Sequence, residues 1–387
     1  MSMTRRPEDL LDRRGGPVEL LRLPALLFGA VAEARRALYD RGLLPSARLD
    51  LPIVCVGNLI AGGTGKTPLV VELARRLVAA GRRPGILSRG YGKGSGGADS
   101  DEARLVAELL PDLPRVAMPD RVEGARRLAE DGADLVLMDD GLQHRRLARD
   151  LDLVLVDATR PWGLARGPRA FLPRGLMREG PKALRRAGAV VLTRADQVPS
   201  EALEELELEL GAWAPGVPRL VTRHAPQRLA PLVEDDAGPE GAGSAAPGAG
   251  GPRPEGGVLQ ELRGREVLAL SAIGNPAAFA RTLSDLGARV VEERRLPDHH
   301  AYTAADLAAL PAGPGAPLVV TTAKDAVKLA PLSQRATSGA PQAADVRVLY
   351  MELEVTRGGD VLDALLAALP PGAAARQRAA LHEGLHG

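Results

Sequence analysis

Aromatic side chains are scarce in this chain of 387 residues: two Trp, four Tyr and three Phe. That scarcity argues against surfaces that stack on nucleic-acid bases. A formal net charge of +1 gives no electrostatic footprint for a polyanion either, so no nucleic-acid partner is expected. The single cysteine, Cys55, excludes a disulfide within one chain, as suits a reducing cytosol. It lies in an apolar run and reads as a small buried hydrophobe. The most helix-like N-terminal stretch cannot cross a bilayer, because its uncharged run from Leu23 to Ala32 is only ten residues long. Glycine, proline, alanine and arginine are abundant, which reflects compositional bias rather than function. The length suffices for two domains.

What is present is organised around residues 51–68, LPIVCVGNLIAGGTGKTP. Ile53 to Val56 reads as a buried strand, and Leu69 to Ala80 as a helix with Leu69, Leu73 and Leu77 on one face. Strand, glycine-rich turn, Gly-Lys-Thr and helix make the phosphate-cradling unit of P-loop proteins. Gly62, Gly63, Thr64 and Gly65 form the loop, whose backbone N–H groups turn inward onto phosphate oxygens with the partial positive charge of the helix N-terminus behind them. Lys66 is placed to reach the β- and γ-phosphates and the Thr67 hydroxyl to ligate Mg²⁺. The strict pattern asks for a glycine where this chain has Ile60. A chance Gly-Lys-Thr is the bland alternative, but strand, helix and extra glycines together point to nucleoside triphosphate binding.

Residues 1–16 are polar and arginine-rich. From Pro17 to Leu44, Leu20, Leu23, Leu27, Val31, Ala34 and Leu38 recur every three or four residues, which predicts an amphipathic helix, or two broken at Pro24. Packing on its own domain and lying in a membrane interface are both open for it. A signal peptide is rejected: Glu19 and Arg22 crowd the apolar core, and a triphosphate-dependent enzyme needs a compartment with ATP. Farther on, Asp101-Glu102 heads a helix at 103–110, where Asp101 suits the helix dipole. Asp120-Arg121 precedes a helix at 122–131. The stretch Ala133 to Gly141 places Asp139 and Asp140 at the end of an apolar strand, the form that delivers a carboxylate to Mg²⁺ beside a P-loop. A direct or water-mediated role for Asp140 stays open.

Further strands are expected at 152–157 and 189–193, with a loop at 171–179 between them. The alternation predicts an α/β fold: a P-loop NTPase-like, doubly wound, mostly parallel sheet with ligands at strand C-terminal ends. Residues 235–257 are Gly, Pro, Ala and Glu and cannot bury a core, so they read as a linker or insertion. A second, smaller α/β domain follows, with strands near 266–270, 317–321 and 346–351. The expected division is 1–46 for the N-terminal amphipathic region, 47–234 for the P-loop core, 235–257 for the linker, 258–370 for the smaller domain and 371–387 for a tail.

These stretches together resemble the tetraacyldisaccharide 4'-kinases. The resemblance runs from about Pro17 to Met351 and is carried by the P-loop segment, SRGYG, the pair 101–102, DDGLQHRRLARD (139–150), LPRGLMRE (172–179), AIGNP, PDHHAY (297–302) and TAKDAVK (322–328). The chain departs from the family pattern at Ala323, Arg174, Leu176 and Ser100, and in its long linker.

The resemblance implies transfer of the ATP γ-phosphoryl group to the 4'-hydroxyl of an acylated disaccharide 1-phosphate, with ATP and Mg²⁺ as cofactors. It implies anion contacts from Arg89, Arg121 and Arg178, a metal shell of Thr67, Asp139 and Asp140 completed by Glu179, and Asp101 as base with His299 orienting it or sharing the proton. Catalytic roles thus fall on Lys66, Arg178, Asp101 and His299. The acyl chains of such a substrate stay in the inner leaflet, so the N-terminal helix gains a docking role at the cytoplasmic face of the inner membrane. A peripheral monomer is expected.

Two rivals are weaker. A GTPase would read guanine through Asp196 in Val190 to Asp196, but Thr193 and Arg194 stand where Asn and Lys belong. A partitioning-type ATPase needs a lysine where this chain has Ala61.

Overall fold

Ile53–Asn58 shows no polar alternation, and such a strand is stable where both of its faces are covered. In the computed structural model it forms β1, and all six residues are buried. The structure describes residues 11–12, 15–90, 101–164, 169–233, 259–298, 300–336 and 344–372. The expected linker at 235–257, nearly all of the tail and His299 lie outside the described residues.

Ahead of β1 runs helix α1 (Arg22–Asp40), entered through a 3-10 turn at Pro17–Leu21. After β1 come α2 (Lys66–Ala79), β2 (Pro84–Ser88), α3 (Asp101–Leu109), β3 (Arg115–Ala117) and α4 (Arg121–Glu130). Strands β4 (Leu135–Asp139), β5 (Leu151–Asp157) and β6 (Ala189–Thr193) follow, then α5 (Ser200–Trp213) and the long β7 (Arg219–Pro231). The remainder is β8 (Glu266–Ser271), α6 (Pro276–Asp285), β9 (Arg289–Arg295), the short α7 (Ala304–Ala308) and β10 (Leu318–Thr322). It closes with α8 (Ala323–Ala336), β11 (Val346–Arg357) and α9 (Gly359–Ala367).

Two compact units result, and neither is contiguous in sequence. The first takes 1–98, 112–223 and 353–387; the second takes 99–111 and 224–352. The division expected at 234 and 258 therefore differs from the one found: α3 goes with the second unit, and the chain after Glu352 returns to the first.

In the first unit the strand order is β3-β2-β4-β1-β5-β6-β7, all parallel. The connection leaves β1 toward β2 on one side, while β5, β6 and β7 build outward on the other. That makes the C-terminal end of β1 a switch point, where open parallel sheets bind ligands. Helix α2 covers the sheet with Leu69, Leu73 and Leu77, each at most 2% exposed. The returning C-terminal segment is tied down here: Asp363 pairs with Arg76 of α2 at 2.6 Å, and Arg357 pairs with Glu207 of α5. In the second unit the order is β11-β10-β8-β9, also parallel.

Helix α1 passes Pro24 without a break. Pro24 lies in the first turn, where its missing N–H would have no intrahelical partner. The apolar stripe is not packed on the unit: Leu20 of the 3-10 turn and Leu23, Leu26, Leu27 and Val31 of α1 are 60–80% exposed. The side that packs is made of small residues. Gly29 abuts Phe171 so closely that an added Cβ would fall 2.5 Å from its ring. Arg35 donates to the Gln143 carbonyl at 3.0 Å, and Asp40 pairs with Arg145. Among the described residues no helix is long and apolar enough to cross a membrane.

Candidate active site

The first unit builds a site at the end of β1. Asn58 is fully buried; its amide donates to Thr64 Oγ1 at 2.9 Å, and its Oδ1 accepts from Lys66 Nζ at 3.5 Å. Gly65 has φ +93° and Gly62 φ +119°, a region open to glycine at little cost, and the loop uses it to turn into α2. From behind, Thr193 Oγ1 donates to the Thr64 carbonyl at 2.9 Å and Arg194 to the Gly63 carbonyl at 3.4 Å. The segment that invited a GTPase reading thus buttresses the P-loop backbone.

Asp140 adopts φ +50°, the left-handed conformation that Asp tolerates better than most residues. Its carboxylate meets Lys66 Nζ at 3.5 Å and Arg178 Nη1 at 3.0 and 3.1 Å. Burial pushes this carboxyl up, but the Lys66 and Arg178 charges outweigh burial and hold it below the usual carboxylate range. Gln143 adds a brace that sequence reasoning missed, donating to the Asn58 carbonyl at 3.0 Å and accepting from Arg178 at 3.4 Å.

Arg178 is carried by the 171–179 loop, which is stitched to the P-loop. Arg178 N donates to Leu59 O and Ala61 N to Leu176 O, both at 2.7 Å, and Ile60 bridges Met177. Arg174 and Leu176 hold this loop by contacts of their own. Arg174 is 1% exposed and donates to Leu11 O and Glu19 Oε1, each at 2.7 Å. The Arg174 hydrogen bond, with one from Gly15 N, brings the Glu19 carboxyl down to about 2.

Arg121 opens α4 behind its cap Asp120, which accepts from Val122 N at 3.0 Å. The Arg121 side chain is 2% exposed; Nη2 donates to the Asp139 carbonyl at 3.4 Å, while Nη1 finds no partner among the described residues. Burial lowers its affinity for the proton, against the pull of Asp139 and Asp140, and the Arg89 charge works in the same direction as burial. A buried guanidinium with an unspent donor suits an anion. Arg89 is exposed after β2.

Thr67 lies beside Lys66 in the first turn of α2, and Asp139 ends β4, buried. Glu179 is buried and pairs with Arg186 at 2.8 Å. Among the described residues no three acidic, His or Cys side chains gather as a ready metal cage. Mg²⁺ does not need one: it is held by one or two carboxylates with substrate phosphates and water. The oxygen donors of Thr67, Asp139 and Asp140 beside a P-loop fit that chemistry.

The second unit carries Asp101 at the first position of α3, with its carboxylate 3.2 Å from Lys328 Nζ. The residues flanking His299 are described; Asp298 receives Lys324 at 3.1 Å, and the His300 ring meets Asp306 at 3.2 Å.

Comparison with known proteins decides the family. The family model for tetraacyldisaccharide-1-P 4'-kinase matches residues 18–370. The chain belongs to that family. A tetraacyldisaccharide 4'-kinase of Anaeromyxobacter dehalogenans is 44% identical over 381 residues, covering 94% of this chain and 92% of the relative. One from Syntrophus aciditrophicus is 38% identical, covering 85% and 89%. The crystal structure of the "apo" form LpxK from Aquifex aeolicus in complex with ATP aligns with TM-score 0.62 and 29% identity, over 89% of this chain and 97% of that one. The chain is therefore an ATP-dependent kinase, and the GTPase and ATPase switch readings fall away.

Proposed function

We propose that the chain transfers the γ-phosphoryl group of ATP to the 4'-hydroxyl of a tetraacyldisaccharide 1-phosphate, peripherally bound at the cytoplasmic face of the inner membrane. The observation that carries this reading is the convergence of Lys66 and Arg178 on Asp140 over the P-loop of a chain in this family. Phosphoryl transfer asks for positioning and charge neutralisation more than covalent help. The backbone of Gly62 to Gly65 cradles the phosphates. Lys66 and Arg178, oriented by a shared counter-ion, meet the charge that develops on the transferred group, and preorganised cations of this kind need no rearrangement as it forms. Arg121 and Arg89 supply further anion contacts.

Thr67, Asp139 and Asp140 would hold Mg²⁺, with Glu179 as an additional ligand, and the ion would supply neutralisation of phosphate charge. Asp101 accepts the proton of the 4'-hydroxyl, with His299 orienting it or sharing the proton. The exposed leucines of α1 support peripheral docking, since a stripe of that size left uncovered marks an interaction surface.

The test is transfer of labelled γ-phosphate from Mg-ATP to tetraacyldisaccharide 1-phosphate in detergent micelles. Labelled lipid is expected from the parent and none from Lys66→Ala or Asp139→Ala; His299→Ala is expected to lower turnover with ATP affinity little changed. Phosphate released to water without labelled lipid would refute the lipid acceptor.

A further inference from the structure

The TAKDAVK stretch has no part in the chemistry set out above, yet its two lysines are where the acidic pair of α3 is held. Lys324 and Lys328 are one turn apart on α8 and so share a face. Lys328 Nζ lies 3.2 Å from Asp101 Oδ2, and Lys324 Nζ lies 2.9 Å from Glu102 Oε1. The same ammonium groups reach the segment on either side of position 299: Lys328 donates to the His300 carbonyl at 3.2 Å, and Lys324 to Asp298 at 3.1 Å.

Lys328 is itself fixed. Its side chain is 9% exposed, lies over the Tyr302 ring at 5.3 Å and pairs with Asp325 at 3.4 Å. Asp325 is fully buried and anchored, accepting from Ala272 N at 3.1 Å and from Thr322 Oγ1 at 2.8 Å. The plain alternative is that Lys328 serves only to neutralise Asp325. The distances speak against it: Lys328 is nearer to Asp101, at 3.2 Å, than to Asp325, at 3.4 Å.

We propose that Lys328 is a positioning residue for phosphoryl transfer, holding the Asp101 carboxylate in place and in its charged form as the acceptor of the sugar proton. The proposal rests on the reading of Asp101 as the base. The other titratable or charged groups around the pair are Glu102 on α3, Lys324 and Asp325 on α8, and Asp298, His300, Tyr302 and Asp306 on the segment running into α7. Most of these are acidic. Without Lys328 the carboxylates of Asp101 and Asp325, 3.2 and 3.4 Å from its Nζ, would lose the cation they share.

The full-length chain is assayed in micelles with Mg-ATP and tetraacyldisaccharide 1-phosphate across pH, comparing parent, Lys328→Met, Lys328→Arg and Asp101→Asn. Because Lys328→Met leaves buried Asp325 uncompensated and could fail to fold, the double variant Asp325→Asn/Lys328→Met is included. An opposite charge at this distance moves a carboxylate by about one pH unit or more, so the acidic limb of kcat is expected to move up by about that much in Lys328→Met, and in the same direction by less in the double variant, where the Asp325 charge is removed as well. The KM for ATP should not change, and Lys328→Arg should return the limb. If the double variant behaves like the parent, Lys328 serves Asp325 alone and the proposal is wrong. An unmoved limb with inactive Asp101→Asn would also overturn it while leaving the base assignment standing. Full kcat in Asp101→Asn would remove the base assignment, and the role of Lys328 with it.

Discussion

Gly57 gives a test of how tightly the P-loop strand and the Asp139–Asp140 turn are fitted together. It lies in β1, and a Cβ there would fall 2.5 Å from Leu142 Cβ, 2.9 Å from Leu142 N and 3.2 Å from Leu142 Cα. Carbon atoms in contact sit about 3.5–4.0 Å apart, so Gly57→Ala asks the Leu142 backbone to retreat by about 1 Å. Leu142 is fully buried and has no room to give. Two bonds carry any shift into the site: Gly141 N donates to Val56 O at 3.3 Å, and Gln143 Nε2 to Asn58 O at 3.0 Å. Overpacking of this kind costs about 1–3 kcal/mol. At about 2–4 °C per kcal/mol, the melting temperature of the unit should fall by about 2–12 °C. A displacement near 1 Å beside Asp140 should also lower kcat by up to about 100-fold. Thermal unfolding and the lipid kinase assay on one preparation read both effects. Gly359→Ala is the control, because its Cβ would meet only Val355 Cγ1, at an ordinary contact distance of 3.9 Å. If Gly57→Ala keeps the parent's melting temperature and turnover, the turn is not pinned by β1 and the argument fails.

Arg121→Met should leave the nucleotide-free protein as stable or more stable, since it removes a buried cation with an unpaired donor, while weakening ATP binding at least about tenfold. A drop in melting temperature without ATP, with unchanged ATP affinity, would contradict this in both respects. Asp140 should make its contribution to stability above its unfolded pKa and lose it as pH falls through the lower folded value. The melting-temperature gap between parent and Asp140→Asn should therefore narrow below about pH 4; a constant gap from neutral pH to pH 3 would oppose that assignment. Leu23→Ser/Leu27→Ser changes residues that are 77% and 68% exposed, so stability should hold within about 0.5 kcal/mol. Sedimentation with anionic phospholipid vesicles should fall sharply, and undiminished binding would remove α1 from the membrane contact.

The P-loop unit was legible because its signals are local: an apolar run, a glycine turn and leucines at helical spacing fall within thirty residues. Asp139 and Asp140 were legible for the same reason. Asn58, Gln143, Thr193 and Arg194 were not, because what they do depends on partners brought close by the sheet; Thr193 braces Thr64 across 129 positions. Strand β9 escaped notice because it lies at the sheet edge and alternates exposed with half-buried residues, so Arg289, Glu292, Glu293 and Arg294 obscure its two valines. The apolar stripe of α1 was visible, but nothing local to it says whether it meets protein or lipid. The small side that packs on Phe171 carries no hydrophobic signal at all.

The discontinuity of the first unit has a consequence during synthesis. That unit opens the chain and also closes it, with α9 held by Arg76 and Gly372 packed on the Asp134 backbone. At about 5–20 residues per second a ribosome needs roughly 20–80 s for the whole chain. Once Arg223 has been added the strands of the P-loop sheet are all made, yet that sheet waits for its last helix until the second unit's sequence has been completed at Glu352. The unit that begins first is finished last, and shortening the chain before Gly359 would remove part of the nucleotide-binding unit rather than part of the smaller one.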